Sequence, residues 1–172
     1  MKNDRGFSLI ELLIVVAIIL IIASIAIPNL LRSRLAANQA AAVSTLRNIN
    51  NSEATYDTEF TAFGFADTFV KLGPGTPCDS NHACLVDGLI GCPSQPCTKS
   101  GYQYSIVSTT GVAPVPDYST TATPLGWGAT GLENYCSTDD GVLRKQLNPS
   151  AVINGATLRS DCLTVTQYVA TQ

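Results

Sequence analysis

Residues 7–27 read Phe-Ser-Leu-Ile-Glu-Leu-Leu-Ile-Val-Val-Ala-Ile-Ile-Leu-Ile-Ile-Ala-Ser-Ile-Ala-Ile, an apolar run broken only by Ser8, Glu11 and Ser24. At a rise of about 1.5 Å per residue, a helix of this length spans roughly 30 Å, the thickness of one bilayer core. Pro28 follows at once, and beyond it the pattern turns from continuous to periodic. Leu31, Leu35, Ala42, Leu46, Ile49 and Tyr56 recur mostly three or four residues apart, interrupted at Asn38 and Gln39, which is the spacing of one helix face. Arg32, Arg34, Arg47 and Asn48 point in other directions. The expectation is one continuous helix over residues 7–57, bent at Pro28 and roughly 75 Å long.

Past Asp57 the helical period stops. Phe60, Phe63, Phe65 and Phe69 cluster in a connecting segment, where core packing under the helix is the expectation, and Gly73-Pro74-Gly75-Thr76-Pro77 makes a turn. Tyr102, Tyr104 and Ile106 alternate with Gln103, Ser105 and Val107, the period of a strand with one apolar face. Residues 111–131 are rich in Gly, Pro, Thr and Ser and read as a surface loop. Residues 133–137 and 142–145 flank Asp139-Asp140-Gly141, a hairpin signal, and residues 163–169 read as a last strand. The fold class expected is α+β: a long N-terminal helix, with a membrane-spanning half and an amphipathic half, packed on an antiparallel sheet within a globular region over residues 58–172.

Composition narrows the function. The chain has 172 residues, a formal charge of -3 and a pI near 4.9, without the basic excess or basic-aromatic interleaving that tracks a phosphate backbone, so no nucleic-acid partner is expected. Six cysteines, Cys78, Cys84, Cys92, Cys97, Cys136 and Cys162, all lie beyond the apolar run, and their even number suits an oxidising compartment. His82 sits between Cys78 and Cys84, but structural zinc sites favour C-x2-4-C pairs, tighter than these spacings, and no C-x-x-C redox motif is present. The Gly- and Pro-rich stretch from Cys78 to Cys97 can bury little apolar area and is expected to carry local disulfides. Four cysteines allow three pairings; Cys78 with Cys84 and Cys92 with Cys97 is the expected one. Cys136 and Cys162 remain to close a longer loop.

The apolar run admits three readings: a plain anchor, a cleaved secretory signal, and a segment that leaves lipid for a protein assembly. Lys2 and Arg5 before the run and Ser24-Ile25-Ala26 within it fit a secretory signal loosely, but the run is longer than that class carries. Glu11 argues against the first two, because a charged side chain at mid-membrane costs on the order of 2.5 to 3.5 kcal/mol and asks for a partner.

Arg5-Gly6-Phe7-Ser8-Leu9-Ile10-Glu11, a short basic leader ending in Gly, then Phe, then Glu four residues on, with the match continuing to Pro28, resembles the type IV pilin precursors, of the type IVa-like major kind. The resemblance implies that residues 1–6 are a leader, that a prepilin peptidase cuts between Gly6 and Phe7 and methylates the new amine of Phe7, and that Glu11 and Pro28 serve assembly. A cationic amine at Phe7 would lie one helical turn from Glu11, supplying the missing partner within a chain or between neighbours. Removing Lys2, Asp4 and Arg5 would take the side-chain charge from -3 to -4. Basic residues do not orient the span, since Lys2 and Arg5 at one end are matched by Arg32 and Arg34 at the other; the cysteines and the resemblance place the C-terminal part outside the cytoplasm. Pilins also staple a C-terminal region, which supports pairing Cys136 with Cys162.

The function so implied is that of a homo-oligomeric pilus subunit for adhesion, twitching motility and surface attachment, first a single-pass inner-membrane precursor and then a surface filament, served by inner-membrane assembly machinery. The alternative is a pseudopilin of a type II secretion system or a DNA-uptake pseudopilus. An electron-conducting filament would need closely spaced aromatics along the helix, and none falls between Phe7 and Tyr56. No nucleophile-base pair, phosphate-cradling loop or paired catalytic carboxylates stand out, so no enzyme activity, cofactor or metal is expected. Asp139, Asp140 and Asp161 could suggest calcium but read as turn residues. Asn50-Asn51-Ser52 fits a glycosylation acceptor yet falls within the helix.

Overall fold

A computed structural model describes residues 8–147, 149, 159–164 and 167–171. Helix α1 spans Leu9–Glu59 and passes through Pro28 without a break. The elements that follow are α2 (Phe69–Leu72), β1 (Cys97–Lys99), β2 (Tyr102–Val107), β3 (Ser119–Pro124), β4 (Tyr135–Thr138), β5 (Leu143–Gln146), α3 (Arg159–Leu163) and β6 (Tyr168–Ala170). The chain forms two compact units, the first ending at Arg34 and the second beginning at Leu35.

In the second unit the strands form one six-stranded sheet in sequence order, every neighbour antiparallel. Short connections permit this meander, because antiparallel neighbours need no crossover. Ala42, Leu46, Ile49 and Tyr56 of α1 join Phe69 and Leu72 of α2, Ile90, and Tyr102, Tyr104, Ile106, Ala122, Tyr135 and Leu143 of the sheet in one buried cluster. The α+β arrangement is thus the expected one. The stripe on α1 is shorter than its periodicity suggested: Leu35 is only half-buried and Leu31, in the first unit, is 55% exposed.

Tyrosines are prominent in this core, and most of their buried phenols find an acceptor. Tyr56 donates to the Ser80 carbonyl at 2.6 Å, Tyr102 to the Glu133 carbonyl at 3.0 Å and Tyr135 to Glu133 Oε2 at 2.6 Å. Burial pushes the Tyr102, Tyr118 and Tyr135 phenols well above their ordinary range, so they stay donors throughout the physiological pH range.

The sheet corrects two expectations. Residues 111–131 are not all surface loop, because Ser119–Pro124 is β3, interior to the sheet and buried at every position. Its side chains alternate between two covered faces. Ala122, opposite Tyr104, faces the tyrosine core, whereas Thr121 is opposite Cys136, whose disulfide to Cys162 brings α3 onto the other face. Polar threonines are tolerated in this strand because they bond: Thr123 Oγ1 accepts from Gln103 Nε2 at 3.0 Å, and Thr120 donates to the Ser137 carbonyl at 3.4 Å. The last strand also starts later than residue 163: Leu163 closes α3, residues 165 and 166 lie outside the described residues, and β6 begins at Tyr168. Local alternation favoured a strand, but the disulfide pins Cys162 in a helical turn, and the Thr164 N–H closes on the Asp161 carbonyl at 3.2 Å.

Elsewhere the connecting phenylalanines divide. Phe69 is fully buried, Phe60 and Phe65 pack half-buried against the core, and Phe63 is 39% exposed, away from the packing expected of it. Phe65 meets Tyr118 edge-on with ring centroids 5.0 Å apart. Gly64, at φ +70°, lets this segment run against Val115, where an added Cβ would sit 2.3 Å from the Val115 carbonyl oxygen. Gly141 likewise takes a positive φ, +70°, in the β4–β5 hairpin, its N–H closing on the Thr138 carbonyl at 2.8 Å.

Candidate functional site

Helix α1 begins where a cap is available. Glu11 is the third helical residue, and its Oε2 accepts the Ser8 backbone N–H at 2.9 Å. That is the reciprocal half of a capping box, in which a side chain reaches back to the otherwise orphaned amide of the capping residue. The Ser8-Leu9-Ile10-Glu11 spacing is the sequence signal for it, one the prepilin motif overlaps and conceals. The carboxylate thus has an acceptor role within its own helix. Gly6 and Phe7, the expected processing positions, lie outside the described residues.

From Leu9 to Leu31 the large apolar side chains are exposed: Leu9 75%, Ile14 55%, Ile21 64%, Ile25 65%. The helix is long and apolar enough to cross a membrane. Its polar groups are answered internally. Ser24 donates its hydroxyl to the Ile21 carbonyl at 2.7 Å, and among the described residues of the run only Glu11 is ionisable. Pro28 sits inside α1 and lacks an amide hydrogen, so the Ser24 carbonyl loses the donor it would otherwise meet one turn on. A helix of this kind carries a large apolar surface that none of the described residues covers, with one carboxylate near its start.

In the second unit, disulfides join Cys78 to Cys84, Cys92 to Cys97 and Cys136 to Cys162. Two of the three aspartates weighed for calcium are engaged with arginines. Asp139 receives Arg159 through two bonds, 2.5 Å from Nε and 3.1 Å from an Nη, with Asp117 4.0 Å from the same Nε. Asp140 pairs with Arg144. Asp161 stands exposed in the first turn of α3. Among the described residues no group of three or more His, Cys, Asp or Glu is placed to hold a metal. His82 is exposed and forms a tight turn, its N–H bonding Asp79 Oδ1 at 3.1 Å.

Asn50, first residue of the glycosylation pattern, is 9% exposed and donates to Ser137 Oγ at 2.7 Å and to the Gly141 carbonyl at 3.2 Å, so its amide is occupied. Asn50 and Glu53 are the polar residues that sequence reasoning passed over. Glu53 had a signal: Ala42, Leu46, Ile49, Glu53 and Tyr56 continue one four-three-four-three spacing, which puts a carboxyl where the period demands an apolar side chain.

The family model for the prokaryotic N-terminal methylation motif matches residues 1–27. The chain is 34% identical over 102 residues to the type IV wide pilus major component of Thermus thermophilus, covering 53% of this chain and 78% of that protein. It is also 43% identical over 57 residues to the type IV major pilin protein of Myxococcus xanthus, covering 33% of this chain and 26% of that one. No solved structure gives a significant match. An exposed apolar helix with a capped glutamate at its start, a stapled antiparallel sheet beyond it, and most of a major pilin's length matched at this identity have one common source: the chain belongs to the type IV pilin family.

Proposed function

We propose that this protein is a major subunit of a surface pilus, made as an inner-membrane precursor whose leader, residues 1–6, is removed between Gly6 and Phe7 with methylation of Phe7. Residues 7–27 then hold it in the bilayer until assembly, and residues 58–172 form the globular part outside the cytoplasm. The observation that carries this reading is the exposed apolar start of α1 with Glu11 as its lone described ionisable group. In lipid that surface is satisfied. Once the subunit leaves lipid, it must be covered by equivalent helices of other subunits, which makes polymerisation the natural fate of the chain.

Glu11 gives the assembly its register. Within one subunit its carboxylate caps Ser8; beside a second subunit it can exchange that neutral donor for a cationic amine at Phe7, a stronger charge-assisted bond. Desolvation offsets much of the gain, so the pair selects position more than it adds stability. Prepilin peptidase, the inner-membrane assembly machinery and further copies of the chain are the partners this requires, and adhesion, surface attachment and twitching motility are the roles such a filament serves.

The test is mass spectrometry on filaments sheared from cells of the native host. A dominant peptide beginning at Phe7 and carrying one extra methyl group is expected. The same peptide confined to the membrane fraction would keep the processing and replace the surface pilus by a pseudopilus. A native N-terminus at Met1 or Ile27 would overturn the proposal.

A further inference from the structure

Glu53 lies in the middle of the buried face of α1 and is 0% exposed. One carboxyl oxygen, Oε2, accepts the Ala66 N–H at 2.9 Å. The other, Oε1, has no hydrogen-bond donor among the described residues. A carboxylate in such a place, with one bond and no counter-ion, costs several kcal/mol, so the site suits the neutral acid.

The groups around it point the same way. Asp57 faces it from α1, Asp67 from the connecting segment, Lys71 from α2, and the Tyr118 and Tyr56 phenols complete the surround. Lys71 is the one cation of the set, and it is held by Asp67 at 2.8 Å. The two carboxylates outweigh the ammonium, which is already taken, so the surround disfavours an ionised Glu53.

The bond to Ala66 also holds more than one residue. Ala66 is itself fully buried. Immediately before it, the Val115 N–H donates to the Phe63 carbonyl at 2.8 Å and the Phe65 N–H to the Val115 carbonyl at 3.1 Å. Segment 63–66 therefore lies between α1, through Glu53, and the strand-like residue Val115, which is 2% exposed. Before Val115 the loop is open, with residues 109–114 exposed.

We infer that Glu53 is a proton-dependent latch, holding segment 63–66 and with it Val115 against α1 while it is protonated and releasing that contact when it ionises. Burial, with Asp67 and Asp57 adding to it against the Ala66 bond, pushes the carboxyl up from 4.5 to about 8. A released segment solvates the carboxyl and returns it towards the ordinary value. Opening therefore releases no proton below about pH 4.5, releases one and grows easier by at most about tenfold per pH unit from there to about 8, and levels off above. The latch is tightest in mildly acidic surroundings and loosens towards alkaline ones.

The experiment is amide hydrogen exchange on the full-length chain in detergent micelles, read by mass spectrometry from pH 5.5 to 9 and corrected for the intrinsic base-catalysed rate, for wild type and Glu53→Gln. Wild-type peptides covering 60–68 and 109–117 are expected to lose protection as pH rises and then level off, while those of Glu53→Gln stay flat. Should Glu53→Gln fail to accumulate, Glu53→Met is the same control, also unable to ionise. Wild-type peptides as flat as the variant's would overturn the latch. So would a loss spread evenly over β2 and β3, which would mean that ionisation weakens the whole unit rather than this contact.

Discussion

Tyr118 donates its hydroxyl to Asn50 Oδ1 at 3.2 Å, joining two residues 68 positions apart, and Asn50 passes the connection on to Ser137 and to the β4–β5 turn at Gly141. Three polar groups are satisfied through one buried amide. Asn50→Ala strands them, and a loss of about 2 to 3 kcal/mol in unfolding free energy is expected, against about 1 for Tyr118→Phe. Denaturant titration of the full chain in micelles measures both. A cost no larger than that of the exposed neighbour Asn51→Ala would refute the network.

The disulfide between Cys136 and Cys162, separated by 26 positions, closes the longest loop of the three and ties α3 to the sheet. Loop entropy assigns it about 3.5 kcal/mol, against about 2.4 for the Cys78–Cys84 loop. Replacing Cys136 and Cys162 together with serine is expected to lower the unfolding midpoint more than the same change at Cys78 and Cys84. Equal effects would show that fastening α3 contributes nothing beyond local closure.

Leu46 and Leu31 belong to one periodic stripe but not to one environment, being 0% and 55% exposed. Leu46→Ala is expected to cost about 2 to 5 kcal/mol, the range for emptying a buried leucine site. Leu31→Ala is expected to leave the unfolding of the second unit within about 0.5 kcal/mol of wild type. Side-by-side melting curves decide.

Asp140 titrates in the opposite direction from Glu53. Burial opposes its ionisation, but the Arg144 side chain, the Val142 N–H and the Thr138 hydroxyl outweigh it and hold the carboxyl down at about 2. With the folded value below the unfolded one, its stabilisation is complete above pH 3.8 and is lost as pH falls through about 2. Asp140→Asn is expected to flatten the stability profile between those limits while changing its shape little above pH 5. A wild-type acid limb retained in the variant would assign the loss to other carboxylates.

Glu11→Ala removes the carboxylate that caps Ser8 and, in the proposed filament, meets the Phe7 amine. The variant is expected to insert and be processed normally yet yield few or no sheared filaments, as judged by immunoblots of membrane and filament fractions. Wild-type filament yield would defeat the register role given to this residue.

The sequence by itself determined the features that depend on near neighbours along the chain. The apolar run of residues 7–27, the helical period from Ala42 to Tyr56, the alternation of Tyr102, Tyr104 and Ile106, and the Asp-Gly turn are local patterns, and among the described residues each element formed where its pattern lay. The family was legible in the same way, because the prepilin motif is contiguous. Tertiary structure decided what distant residues settle between them. Ser119–Pro124 has a loop's composition and became an interior strand because its two neighbours and α3 cover both faces and its hydroxyls find acceptors there. Residues 163–169 carry a strand's alternation, yet Leu163 closes a helical turn because Cys162 is bound to Cys136. Asn50 and Glu53 are polar on an apolar stripe, and only the approach of Tyr118, Ser137 and Ala66 makes them tolerable there. Periodicity reports which face a residue occupies; whether a buried polar group is satisfied, and by what, depends on partners brought in from elsewhere in the chain.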